Sequence, residues 1–274
     1  MQSAKNTQFT IFNLFANFIR PRDRAVWTND LLYLLHLLGI EEKTVRSTLS
    51  RMKRRGWLTT SKIGRRSQYA LTEAGLAMLA EGDQRIFEAP LMTWDGGWQL
   101  VVYSLPEERR QLRNQLRKKL MWLGFGNLAR GAWVSVQDRS QLLIPILEEL
   151  QITAHVAIFA GAKQLGTMSN AEIVARCWDI PALSAQYEQF VGHYEPLYQH
   201  LNASNPIDLA AEEYFRQYFW LSQDFQHFPR RDPNLPASLL PPNWIGHRAQ
   251  LLFDEYRQRL EPGVHAFMRQ IAGQ

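Results

Sequence analysis

The apolar positions in FTIFNLFANFI (9–19) recur at helical spacing, and Phe9, Phe12 and Phe15/Ala16 predict a buried first helix that Pro21 ends. Thr28 or Asn29 is placed to cap a second helix, DLLYLLHLLG, with Gly39 as its stop. A third, EEKTVRSTLSRMKRRG, carries Val45, Leu49 and Met52 at i, i+4, i+7 and stops at Gly56. At roughly 100° per residue these three fall within a stripe about 60° wide. Lys43, Ser47, Ser50, Arg51 and Arg54 fall on the opposite side. WLTTSKI and SQYAL then flank Ile63-Gly64-Arg65-Arg66, which predicts a β-hairpin, and Thr72 with Glu73 opens another helix. Three helices followed by a hairpin is the order of a winged helix-turn-helix.

After a turn at Pro90 the period changes. WQLVVYSL (98–105) predicts a buried strand, followed by Pro106 as a first helical residue. EERRQLRNQLRKKLMWLG places Leu112, Leu116, Leu120 and Leu123 on one side of a long helix. FGNLARGAWVSV gives two short strands, RSQLLIPILEEL a second helix and AHVAIFAGA a last strand. The order β-α-β-β-α-β is that of a ferredoxin-like domain. From about 170 the pattern is helical, interrupted by HFPRRDPNLPASLLPPNW, whose five prolines predict a rigid, extended strap. The fold class expected is therefore α+β and multidomain. A winged helix-turn-helix spans 1–90, a ferredoxin-like (βαββαβ) domain 91–168, and an all-helical domain 169–274.

Charge sharpens this division. Of the 274 residues, 1–75 hold 13 Lys+Arg against 5 Asp+Glu, a net of +8; the rest hold 18 against 21, a net of −3. Nine Lys or Arg lie between Lys43 and Arg66 with no acid among them. A solvated helix face usually mixes signs to keep i,i+4 pairs, whereas a phosphate-binding surface does not. Arg51 can offer a bidentate fork to guanine; Lys43, Thr44, Ser47, Ser50 and Arg54 share its helix and can meet base edges or phosphates. Lys53, Arg55, Lys62, Arg65 and Arg66 suit phosphates, which carry affinity without sequence. The partner these residues imply is double-stranded DNA, and a two-fold dimer on a near-palindromic site is the expected arrangement.

The stretch FIRPRDRAVWTNDLLYLLHLLGIEEKTVRSTLSRMKRRGWLTTSKIGRRSQYALTEAG resembles the N-terminal region of the PaaX family, transcriptional repressors of bacterial phenylacetate catabolism. V-R-x-x-L-x-R together with G-R-R-S-x-Y carries the resemblance. WDGGWQLVVYSLPE and LRKKLMWLGFGNLARGAWVSV are similar to the family's central domain, itself related to the ferredoxin-like nucleases of CRISPR adaptation. Those nucleases hold a metal with an Asp at the end of the first strand. Here that end reads Tyr103-Ser104, and Asp95 and Asp138 read as a turn residue and a helix N-cap. A nuclease is thus the minor alternative, and dimerisation or relay the expected role of this domain. ARCWDIPALSAQYEQF and the strap's D-P-x-L-P-x-x-L-L-P-x-x-W-x-G extend the resemblance to about 9–270.

The resemblance implies an effector, phenylacetyl-coenzyme A or a related aryl-coenzyme A thioester. An aromatic acyl group needs an apolar slot and its phosphates need cations. Arg230, Arg231 and Trp244 are the candidates, beside many aromatic residues that equally suit a helical core. A regulator of the same build answering another ligand, or none, stays open. No cofactor is expected. H-E-x-x-H, G-x-x-x-x-G-K-[ST] and G-x-S-x-G spacings are absent from the sequence, so an enzyme is not expected. One cysteine, Cys177, allows no internal disulfide and is read as a small buried hydrophobe. With an N-terminus unlike a signal peptide, the expected compartment is the cytoplasm.

Overall fold

The computed structural model describes residues 7–20, 25–83, 93–203, 209–229 and 231–272. Pro21, Pro90 and Arg230, each given a role above, lie outside them. Two compact units share the chain: one takes 1–87, 193–225 and 251–274, the other 88–192 and 226–250. The residues from 169 on contribute helices to both.

In the first unit, α1 (Thr7–Leu14) runs into a π-helical turn, Phe15–Ile19, and is followed by β1 (Ala25–Trp27), α2 (Thr28–Leu37) and α3 (Glu42–Arg54). β2 (Leu58–Ile63), β3 (Arg66–Leu71) and α4 (Glu73–Asp83) follow. Two expectations need correcting here. Thr28 and Asn29 do not cap α2, because the helix begins at Thr28 behind Trp27. The Thr28 hydroxyl donates instead to the Ser67 carbonyl (2.9 Å), tying α2 to the sheet. The sheet also has a third strand: the order is β1-β3-β2, antiparallel throughout, with Ala25 opposite Ala70. The Thr72 hydroxyl accepts from Gly75 N–H (3.1 Å), the N-cap bond that opens α4.

Glycine stops α3 as its position predicts. Gly56 has φ +74°, its N–H reaches Lys53 O and the Trp57 N–H reaches Met52 O. That bond pair is a Schellman motif, which only a residue at ease in the left-handed region closes without strain. Val45, Thr48, Leu49 and Met52 are buried, and α1 packs on α3 with Phe12 5.6 Å from Trp57. Phe18 stands edge-on to Phe215 (5.0 Å) and Tyr218 (5.4 Å) of α9 (Ala211–Phe225). A buried phenyl contributes roughly 1.5–3 kcal/mol through area alone.

The second unit begins with β4 (Trp98–Tyr103). Pro106 does not enter a helix as its first residue; it precedes a 3₁₀ turn, Glu107–Arg109, that leads into α5 (Arg110–Trp122). β5 (Gly126–Ala129), β6 (Ala132–Ser135), α6 (Ser140–Glu149) and β7 (Val156–Ala162) complete the order β-α-β-β-α-β. The sheet is antiparallel in the order β5-β6-β4-β7. Period-2 alternation gives it two apolar faces. On one, Val101 and Trp133 meet Leu116 and Leu120 of α5 and Leu143 and Leu147 of α6. On the other, Trp98 and Val134 meet Ile173 and Val174 of α7 (Asn170–Cys177) together with Leu235 of the proline-rich segment. α8 (Ile180–Ala203) and α10 (Gly246–Ala272) each supply residues to both units. No described helix is long and apolar enough to cross a membrane.

Candidate nucleic-acid interface

α3 and the β2–β3 hairpin present the basic surface. Lys43, Thr44, Ser47, Ser50, Arg51, Lys53, Arg54 and Arg55 of α3 and its end are all exposed, as are Lys62, Arg65 and Arg66 of the hairpin. At about 100° per residue, Lys43, Ser47, Ser50 and Arg54 share a stripe roughly 60° wide opposite the buried one. Arg51 lies at its rim, where its Nη2 donates to Thr48 Oγ1 (3.0 Å). Arg46 stands on the other flank, paired with Glu42 (2.6 Å). Arg46 is a further cation of this surface, signalled in the sequence by its place in V-R-x-x-L-x-R.

Several of these cations are already held by neighbours. Lys53 Nζ donates to Thr60 Oγ1 (2.6 Å), and Arg55 donates to Gln8 Oε1 (3.1 Å) while lying 5.0 Å from the Trp57 ring centre. Arg66 lies 5.8 Å from the centre of the Trp27 ring, in cation–π range. These contacts fix where the charges stand without neutralising them.

The hairpin is closed by a two-residue loop, since Ile63 pairs with Arg66 across it. Gly64 takes φ +60° and Arg65 does not share that sign, the pattern of a II′ turn whose first central residue must be glycine. The tip thus carries Lys62, Arg65 and Arg66 within a rigid ladder. β1 ties this ladder to α2, and the Met52 carbonyl accepts from Trp57 N–H just before β2, so helix and hairpin form one packed body.

The second unit places the remaining candidates. Arg231 donates to Gln186 Oε1 (2.8 Å), and Trp244 stands edge-on to Tyr187 at 5.5 Å, so both reach neighbouring residues of α8. Tyr187 and Phe228 stack at 3.9 Å with 12° between planes, filling that space with their own rings. The Tyr187 hydroxyl donates to the buried Asp232 (2.8 Å), and burial together with that carboxylate pushes its pKa up. Asp95 accepts from Gly97 N–H (2.8 Å) in a turn. Asp138 accepts from Ser140 N–H (2.9 Å) at the start of α6, one residue ahead of Arg139, whose side chain makes no cap bond. Hydrogen bonds hold both carboxyls below the usual range, foremost the Gly97 N–H for Asp95 and the Ser140 hydroxyl, then its N–H, for Asp138. Among the described residues no group of three or more His, Cys, Asp or Glu is placed to hold a metal ion.

Three family descriptions match the chain: "PaaX-like protein" over 6–75, "PaaX protein central Cas2-like domain" over 91–174 and "PaaX-like protein C-terminal domain" over 178–270. The transcriptional repressor PaaX of Escherichia coli (strain K12) is 32% identical over 261 residues, covering 94% of this chain and 81% of that protein. The uncharacterized protein Rv0674 from Mycobacterium tuberculosis shares the fold, with a TM-score of 0.63 at 20% identity, over 95% of this chain and 97% of the other. Three consecutive matches and a relative aligned over 94% of this chain lead to one conclusion: the chain belongs to the PaaX family.

Proposed function

We propose that this protein is a DNA-binding transcriptional repressor of a phenylacetate catabolic operon, not an enzyme, acting in the cytoplasm as a homodimer. The observation that carries the reading is the exposed face of α3, where Lys43, Ser47, Ser50 and Arg54 lie opposite the buried stripe. In this reading residues 1–90 are a winged helix-turn-helix. α3 enters the major groove and the hairpin lies along the backbone, with Lys62, Arg65 and Arg66 on phosphates. The likeness to the Escherichia coli transcriptional repressor supports the regulatory role. Residues 91–168 are read as a ferredoxin-like domain, in keeping with the strand order β5-β6-β4-β7, and as the dimerisation or relay module, with 169–274 as a helical domain.

An aryl-coenzyme A thioester is the proposed effector, with Arg231 toward its phosphates and Trp244 beside its ring. It releases the protein by favouring a dimer geometry that no longer spans two half-sites, so it must bind the two states with different affinities.

The experiment is fluorescence anisotropy on the promoter DNA nearest the protein's own gene, with and without phenylacetyl-coenzyme A. Free phenylacetate and free coenzyme A are the controls. Tight binding released only by the thioester is expected. Binding no tighter than to random DNA refutes the repressor reading at that promoter, and tight binding that the thioester leaves unchanged refutes the effector alone.

A further inference from the structure

A cavity of about 310 Å³ lies in the unit that carries α3 and the hairpin. Ile19, Val26, Leu34 and Ile271 give it apolar walls, and Asp30, Gln68 and the Trp27 indole N–H are among its polar groups. Asp30 and Gln68 differ in their engagement. Gln68 Nε2 donates to Ser61 Oγ (3.0 Å), whereas the Asp30 carboxyl has no hydrogen-bond partner among the described residues. An acid in the first turn of α2 suits the positive end of the helix. That role does not require apolar surroundings, and here burial raises the carboxyl's pKa, opposed by the field of Arg66. Asp30 is only partly buried and the Arg66 field already favours its ionised form, so it sets an anionic contact point in the wall of an otherwise largely apolar cavity.

The neighbouring backbone is a second observation. Phe15–Ile19 is a π-helical turn, with Arg20 N–H bonded to Phe15 O (2.8 Å). Such turns are rare and cluster at functional sites, because one extra residue per turn redirects the side chains. Phe18 and Ile19 of this turn face the cavity. Size narrows the occupant. An apolar cavity of about 150 Å³ takes a benzene ring, so this one accommodates a single ring, a short substituent and water.

We propose that this cavity binds a small molecule with a one-ring apolar body and a primary ammonium head that pairs with Asp30. The same carboxylate disfavours anions, coenzyme A esters among them, so the site is separate from the effector surface proposed above. It does not depend on the DNA-binding reading.

The test uses the full-length protein and three probes of similar shape: benzylamine, cationic at neutral pH, benzyl alcohol and benzoate. Ligand-observed NMR titration follows each. Saturable benzylamine binding is expected, with benzyl alcohol weaker by about tenfold or more, the worth of a charge-assisted hydrogen bond, and benzoate weaker still. Asp30→Asn abolishes the preference for the amine. Ile271→Trp, which fills the cavity from α10, abolishes binding of benzylamine in a protein whose circular dichroism is unchanged. Equal binding of the three probes, an amine preference that survives Asp30→Asn, or no saturable benzylamine binding overturns the proposal. Should Asp30→Asn fail to fold, Ile271→Trp decides, and binding retained there overturns it as well.

Discussion

Lys62 and Arg65 are both exposed at the hairpin tip, and the β2–β3 ladder is built from backbone groups that neither side chain touches. Replacing both with alanine therefore removes charge and leaves the fold in place. Each phosphate neutralised on a duplex changes the slope of log affinity against log salt by about −0.9. Seven cations proposed for phosphates or the groove edge, Lys43, Lys53, Arg54, Arg55, Lys62, Arg65 and Arg66, give one protomer a slope of roughly −6. The double variant keeps five of them, for a slope of roughly −4.5. Between about 50 and 200 mM salt the wild type then loses about 6,000-fold in affinity and the variant about 500-fold, so the gap between them narrows about twelvefold. Anisotropy on a labelled duplex of random sequence measures this without knowledge of the operator. A slope within about 0.5 of the wild type would show that the tip does not reach phosphates. The hairpin would then have no place as a wing, whatever α3 does.

Three further outcomes test the packing within the two units. Gly75→Ala drives a Cβ into the Trp57 carbonyl oxygen and against Leu71, where backbone cannot yield as a flexible side chain would. It should cost about 1–3 kcal/mol in thermal or urea unfolding and weaken DNA binding with it. Tyr187→Phe removes the donor to the buried Asp232 and should lower the stability of the second unit by about 1–3 kcal/mol, leaving α3 and its DNA contacts unaffected. Cys177 is half-buried, and desolvation pushes its thiol up to about 11, only partly offset by Arg176. Near neutral pH its thiolate is scarce, so iodoacetamide should label it roughly two orders of magnitude more slowly than free cysteine. The rate should climb with pH until the thiol titrates; a plateau by pH ~9 would refute the burial argument.

What could be read in the sequence was what local physics decides. The stripe of Val45, Leu49 and Met52, the stop at Gly56 and the hairpin tip around Gly64 each depend on residues within a few positions. The features that escaped depend on distant partners. β1 is three residues long and exists because Ala25 pairs with Ala70 across the chain, and no run of AVW alone specifies that. Thr28 has the chemistry of a cap, yet its hydroxyl is taken by Ser67, 39 residues away. The aromatic residues after 178 follow the same logic. Phe215 and Phe219 pack on Phe18, and Tyr187 and Phe228 pack on each other, assignments that helical spacing leaves open.

The same distinction governs the basic surface. Composition shows that residues 43–66 are cationic, but which cations are held in place is set by side chains from elsewhere. Trp27 lies beside Arg66 and Gln8 accepts from Arg55, while Thr60, brought back by the turn into β2, accepts from Lys53. Lys53 and Arg55 therefore approach DNA with part of their rotamer entropy already lost to the fold, while Lys62 and Arg65 at the tip must lose theirs on binding. Alanine at Lys53 or Arg55 should thus cost more affinity per charge than alanine at Lys62 or Arg65, although each should change the salt slope by the same amount. Equal costs at all four positions would mean that the intramolecular contacts do nothing to prepare this surface for its partner.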